Sequence, residues 1–243
     1  MLQLLICSDV HTYTDNIRLA LHKLDRTDAV LIAGDLEAEE SEVLKAVGSV
    51  PCYAVCGNND YYINTEYPEE LLIDIAGHSP LSGDHLNPAD DTLQRTARLE
   101  RFPRIEKVTE LKYSSLPAGY NSFHPFIRKM APPFLMDKIA GDKKGPAISH
   151  RILMTHGKEY NVPATDLLSR RADMWDADIV IFGHTHTFAE IREKNGKRLF
   201  LNPGCLVGDP KSKIRKWGIY EICSFSVLKI GLDGEISFQH FFI

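Results

Sequence analysis

The chain has 243 residues, 44% of them hydrophobic and 25% charged, with a net charge of −5. That composition builds a buried core in one domain of ordinary size and excludes a disordered chain. The negative balance excludes bulk attraction to nucleic acid or to an anionic membrane, and no apolar run approaches the roughly 18 residues of a membrane span.

The first third alternates strand and helix patterns. Residues 2–7 are an apolar run broken only by Gln3, as in a strand buried on both faces. The run lacks the basic flank and the length of a signal peptide. Residues 15–24 carry helical spacing through Ile17, Leu21 and Leu24. Residues 29–33 are a second strand ending at Gly34-Asp35, and 37–47 read as a helix with Val43, Leu44 and Val47 on one face. Residues 52–56 are a third strand, ending at Gly57-Asn58-Asn59-Asp60. This order predicts βαβ units and a largely parallel sheet.

The middle, about residues 78 to 147, breaks the rhythm. It is rich in Pro, Gly and charge, with one helix predicted from a cap at Asn87 through 90–101. It holds 11 Lys+Arg and 8 Asp+Glu, or +3, which leaves −8 on the remainder (−5 minus +3). The expectation is a single domain over 1–243 with an insertion at 78–147, acting as a lid or an oligomer contact. The last third resumes with a strand at 152–154, a helix at 166–171 and a strand at 179–182. Two hairpins follow: 190–193 with 198–201 around Asn195-Gly196, and 225–230 with 235–241 around Asp233-Gly234.

Each parallel strand ends in a residue able to bind a metal: Asp9 and His11, Asp35, Asn58, His156, then His184 and His186. Open α/β sheets gather their sites beyond the carboxyl ends of the strands. In extended chain, residues two apart point the same way, so Asp9 and His11 can share a site, as can His184 and His186. Three oxygen donors and four imidazoles are too many for one tetrahedral zinc and suit two ions sharing a carboxylate. Mixed N/O donors favour Mn, and equally admit Fe, Zn, Ni or Co, over Mg or Ca. With two ions, two carboxylates and a hydroxide the site carries about +1 and attracts a phosphate; such a pair activates water directly. His22 and His240 read as structural or solvated, and His78, His85, His124 and His150 as surface residues. Cys7, Cys52, Cys56, Cys205 and Cys223, odd in number and without a CxxC pair, read as reduced thiols of a cytoplasmic protein.

Asp9-x-His11, Gly34-Asp35, Gly57-Asn58-Asn59-Asp60, His156-Gly157 and Gly183-His184-Thr185-His186 together resemble the calcineurin-like metallophosphoesterase superfamily. Asn202-Pro203-Gly204-Cys205 resembles its compact YfcE-like phosphodiesterase branch. The resemblance implies a four-layer α/β/β/α sandwich with two mixed sheets. It also implies hydrolysis of a small phosphate mono- or diester by a hydroxide bridging two metal ions. Asp9, His11, Asp35 and His186 would hold one ion, and Asp35, Asn58, His156 and His184 the other, with Asn58 and His156 also acting on the substrate. The alternatives are a non-catalytic Vps29-like scaffold and a nuclease. Two departures stand out. Asn59 occupies the place of a candidate general-acid His and cannot donate a proton at neutral pH in the same way. Asn58 and His156 are also 98 positions apart, long for that branch. The added segment, with Arg95, Arg98, Arg101, Arg104, Arg128 and Lys129, could cover an anionic substrate and bring in His85 or His124 as acid.

Overall fold

The computed structural model describes residues 1–62, 67–77, 103–112, 148–193, 196, 198–208 and 223–243. His78, His85, His124, the helix predicted at 90–101 and the basic residues of the middle segment other than Arg104, Lys107 and Lys112 lie outside them.

Among the described residues the elements run β1 (Leu2–Cys7), α1 (Asp15–His22), β2 (Ala29–Ile32), α2 (Glu40–Val47), β3 (Cys52–Ala54), β4 (Glu70–Ala76), β5 (Arg104–Leu111), β6 (Ile148–Thr155), α3 (Asp166–Met174), β7 (Ile179–Ile181), β8 (Phe188–Arg192), β9 (Leu199–Pro203), β10 (Ser224–Ile230) and β11 (Ile236–Phe242). They form two mixed sheets, ordered β11-β10-β1-β2-β3 and β5-β4-β6-β7-β9-β8. β1, β2 and β3 are parallel in the first sheet, and β6, β7 and β9 in the second.

Side-chain alternation explains the layering. Leu4 and Ile6 of β1, Leu31 of β2 and Val55 meet Ile73, Ile152, Met154, Ile179, Ile181 and Leu201 in the core between the sheets. The opposite faces are also apolar. Leu5, Cys7, Val30 and Ile32 pack beneath Ile17, Ala20, Val43 and Val47 of α1 and α2. Leu153, Val180 and Phe200 pack beneath Leu168 and Ala172 of α3. Helices on the outer faces of two stacked sheets give the expected α/β/β/α order, and strands covered on both faces account for the continuous apolar runs. No helix among the described residues is long and apolar enough to cross a membrane.

Some element bounds differ from the reading of the sequence. α2 begins at Glu40 and not at Glu37, because Glu37 takes a left-handed φ of 49°. β4 has no counterpart in the sequence reading, and β5 falls inside the segment expected to be an insertion. β4 runs antiparallel to both neighbours: Glu70 lies opposite Thr155 and Leu111, and Ala76 opposite Ile148 and Arg104. The chain therefore leaves β4 and re-enters β5 and β6 at the sheet edge away from His156, about 23 Å down the strand. Arg104, expected over an anionic substrate, sits at that far edge, paired with Glu106. His150 also departs from expectation. It is largely buried, with Nδ1 2.8 Å from Asp178 and Nε2 2.8 Å from the Gly234 carbonyl.

Candidate metal centre

The loops after β1, β2, β3, β6 and β7 meet at one edge of the paired sheets. Two of them are laced together by backbone bonds: Asp9 N–H donates to Gly34 O (3.0 Å), and Val10 and His11 N–H donate to Asp35 O (2.8 and 3.0 Å). The loop after β7 joins them, His184 N–H donating to Asp9 Oδ2 at 3.0 Å.

The donors converge, though not by extended alternation. Asp9, His11, Asp35, His184 and His186 all have positive φ, between 45° and 70°. Left-handed turns, not a strand-like period of two, bring Asp9 to His11 and His184 to His186. Non-glycine residues in this region are uncommon and concentrate at functional sites. His11 Nε2 and His186 Nε2 are 3.1 Å apart, and His186 Nε2 is 3.2 Å from Asp9 Oδ1. His156 Nε2 lies 3.4 Å from Asp35 Oδ2. Donor atoms of Asp9, His11 and His186, and again of Asp9, Asp35 and His156, lie within 4.8 Å of one another. The His184 ring stands edge-on to that of His156, centroids 5.1 Å apart.

The residues fit a cation on their own terms. Asn58 Oδ1 is buried and makes no hydrogen bond, and Asp9 Oδ1 and His156 Nε2, also buried, have only the longer ion-pair contacts to His186 and Asp35; such atoms call for an explanation of this kind. His156 Nδ1 faces the Ala33 carbonyl at 2.9 Å and so donates, which directs Nε2 into the cluster. The charge balance agrees. Burial disfavours the charged form of His156, yet the carboxylates of Asp35 and Asp9 overcome it and hold its pKa at about 9. Burial would raise Asp35, but His156, the Asn59 N–H and His11 bring it down to about 2. His184 is lowered by burial and by the charge of His156. Carboxylates that hold a buried imidazolium are a ready place for a metal cation.

Reading the sequence missed three supporting side chains. Glu37 Oε1 lies 2.6 Å from His11 Nδ1. Asp60, wholly buried, accepts the N–H groups of Glu37 and Gly57, both at 2.7 Å. Asn202 donates to the Gly183 carbonyl at 2.8 Å and to Thr185 Oγ1 at 3.1 Å. Asn202 was visible as part of Asn-Pro-Gly. Asp60 stood beside Asn58 in its motif, but nothing local announced Glu37. Asn59 also has a definite role: its backbone N–H donates to Asp35 Oδ1 (2.9 Å) and its amide to Oδ2 (2.7 Å).

Gly57 makes the close approach possible. A Cβ there would stand 2.1 Å from Asp35 Oδ1 and 2.3 Å from the Asp35 backbone nitrogen. Gly57→Ala is expected to destabilise the protein by about 1–3 kcal/mol through overpacking and to weaken metal uptake, read by thermal melting and by metal analysis. Wild-type melting and metal content together would contradict this placement.

The model of the Calcineurin-like phosphoesterase superfamily domain matches residues 2–101 and 134–224. A predicted phosphoesterase from Streptococcus pneumoniae TIGR4 is 19% identical with a TM-score of 0.50, the match covering 100% of this chain and 98% of that one. An archaeal phosphodiesterase is 15% identical with a TM-score of 0.50, covering 100% of both chains. Vacuolar Protein Sorting 29 from Cryptosporidium parvum is 18% identical with a TM-score of 0.46, covering 100% and 97%. At these identities the likeness concerns the fold. No curated protein matches the chain.

Proposed function

We propose, from the premise that this chain belongs to the calcineurin-like phosphoesterase superfamily, that it is an enzyme hydrolysing a small phosphate ester at a pair of divalent ions. The observation that carries this reading is the two overlapping groups of donor atoms, Asp9 with His11 and His186 and Asp9 with Asp35 and His156, each within 4.8 Å of one another, together with the buried Asn58 Oδ1, which makes no hydrogen bond. Buried carboxylates and imidazoles gathered this closely are costly to keep together without a cation to neutralise them.

Asp9, His11, Asp35 and His186 would hold one ion and Asp35, Asn58, His156 and His184 the other, Mn²⁺ being the first candidate for mixed nitrogen and oxygen donors. Such ions supply Lewis acidity and lower the pKa of water. The side chains supply position. Glu37 orients His11 and the Ala33 carbonyl orients His156, both through Nδ1. Asn59 spends both of its N–H contacts on Asp35. It therefore acts as a brace, and no proton reaches the leaving group from it. Esters with good leaving groups are accordingly the better substrates. The five cysteines, all in the thiol form, are in keeping with the cytoplasm as the proposed location.

The test is a screen of phosphate mono- and diesters, cyclic nucleotides included, on protein stripped of metal and reloaded. Chelation is expected to abolish turnover, and Mn²⁺ to restore it better than Ca²⁺. Hydrolysis indifferent to chelation, or no turnover of any ester by protein carrying two ions, would refute the proposal.

A further inference from the structure

We propose that Glu37 is a positioning residue that fixes the tautomer of His11 and thereby sets the affinity of the first ion's place; this rests on reading the site as a metal centre. A carboxylate only accepts hydrogen bonds. With Glu37 Oε1 at 2.6 Å, His11 Nδ1 must carry the proton, and the neutral ring then presents a bare Nε2. That nitrogen is the one 3.1 Å from His186 Nε2 and 4.0 Å from Asp35 Oδ2. Metal-binding histidines commonly give their second N–H to a carboxylate, which fixes the ring and raises its basicity.

The backbone holds this arrangement in place. Glu37 is two residues beyond Asp35 on the loop after β2, and its left-handed φ of 49° ends any helical continuation from Leu36. Its N–H is fixed by Asp60 Oδ1, while Asp60 Oδ2 fixes Gly57. One buried carboxylate thus locks the loop bearing Asp35 and Glu37 to the loop bearing Asn58. The Glu37 side chain keeps 33% of its surface in solvent and belongs to none of the three apolar clusters. Its removal should leave the core untouched, so a loss of metal affinity would trace to His11 rather than to packing.

The experiment compares wild type, Glu37→Ala and Glu37→Gln in the full chain. The metal-free proteins are titrated with Mn²⁺ by calorimetry, and the His11 tautomer is read from ring ¹⁵N shifts before metal is added. Glu37→Ala is expected to bind its first ion about 10–100-fold more weakly, to lose the single Nδ1–H tautomer and to keep its metal-free melting temperature. Glu37→Gln, whose amide oxygen accepts the same N–H, should regain most of the affinity. Wild-type Mn²⁺ affinity in Glu37→Ala, or an unchanged His11 tautomer, would overturn the proposal alone. A wild-type protein that takes up no Mn²⁺ would overturn the metal-centre reading and this one with it.

Discussion

Asp35→Asn is expected to lower phosphate-ester hydrolysis by well over a hundredfold while the protein remains folded. Asp35 is 2% exposed, and its two oxygens already accept the backbone and amide N–H groups of Asn59. An asparagine offers one acceptor oxygen, so its NH₂ must face one of those donors. The substitution also removes the negative charge beside His156 and His11, whose Nε2 atoms lie 3.4 and 4.0 Å from Oδ2. Losing a residue that merely orients a ligand reduces affinity or activity about 10–100-fold; a residue proposed to touch both ions should exceed that. The apolar clusters do not include Asp35, so the metal-free variant should melt cooperatively. The measurements are kcat/KM after metal loading and bound metal by elemental analysis. Wild-type turnover with metal present would refute the assignment, and His184→Ala is held to the same standard.

The largest effect on stability is expected at a different place. Arg171→Met should destabilise the fold by about 3–5 kcal/mol, because it strands a buried charge. Arg171 of α3 and Glu70 at the start of β4 both have fully buried side chains. Arg171 Nε donates to Glu70 Oε2 at 2.9 Å, its Nη2 donates to the same oxygen, and Tyr160 Oη donates to Glu70 Oε1. Nη2 also reaches the Lys112 carbonyl at 3.4 Å, and the guanidinium stands 5.6 Å from the centre of the Trp175 ring. Removing the cation leaves Glu70 with one donor in a dry site. For a chain of this length the melting temperature should fall by roughly 10 °C. The double variant Glu70→Leu/Arg171→Met should recover much of the loss, since an apolar replacement of the whole pair avoids an uncompensated charge. A single variant melting within 2 °C of wild type would show that the pair does not hold this layer together.

Much of the fold was legible because strands covered on both faces are apolar along nearly their whole length, as in β2, β7 and, Gln3 apart, β1. β4 was harder. Its run Glu-Leu-Leu-Ile-Asp-Ile-Ala carries two acids, and their partners lie far away in sequence: Asp74 pairs with Arg151 and Glu70 with Arg171. No local pattern announces such a neutralisation. β5 is an edge strand with a half-wet, charged face, so its hydrophobic signal is thin. The donors were legible because Asp, Asn and His at strand ends are conspicuous. Their mode of approach was not: Asp and His adopt a left-handed φ more readily than most residues, but no local pattern says which of them does, and at Asp9 and His184 the lacing of neighbouring loops accompanies it. Glu37 fitted a helical pattern equally well, and only the Asp60 bond shows why the helix starts later.

The donor edge also ties one sheet to the other. His156, at the end of β6, reaches Ala33 beyond β2; His184, beyond β7, reaches Asp9 beyond β1. The opposite margin is fastened as well: His150, near the start of β6, reaches the Gly234 carbonyl in the turn between β10 and β11. Between these two ties the sheets meet through apolar side chains. Stitched at both ends, the sandwich has little freedom to hinge, and the loops that carry the proposed metal ligands keep a fixed spacing.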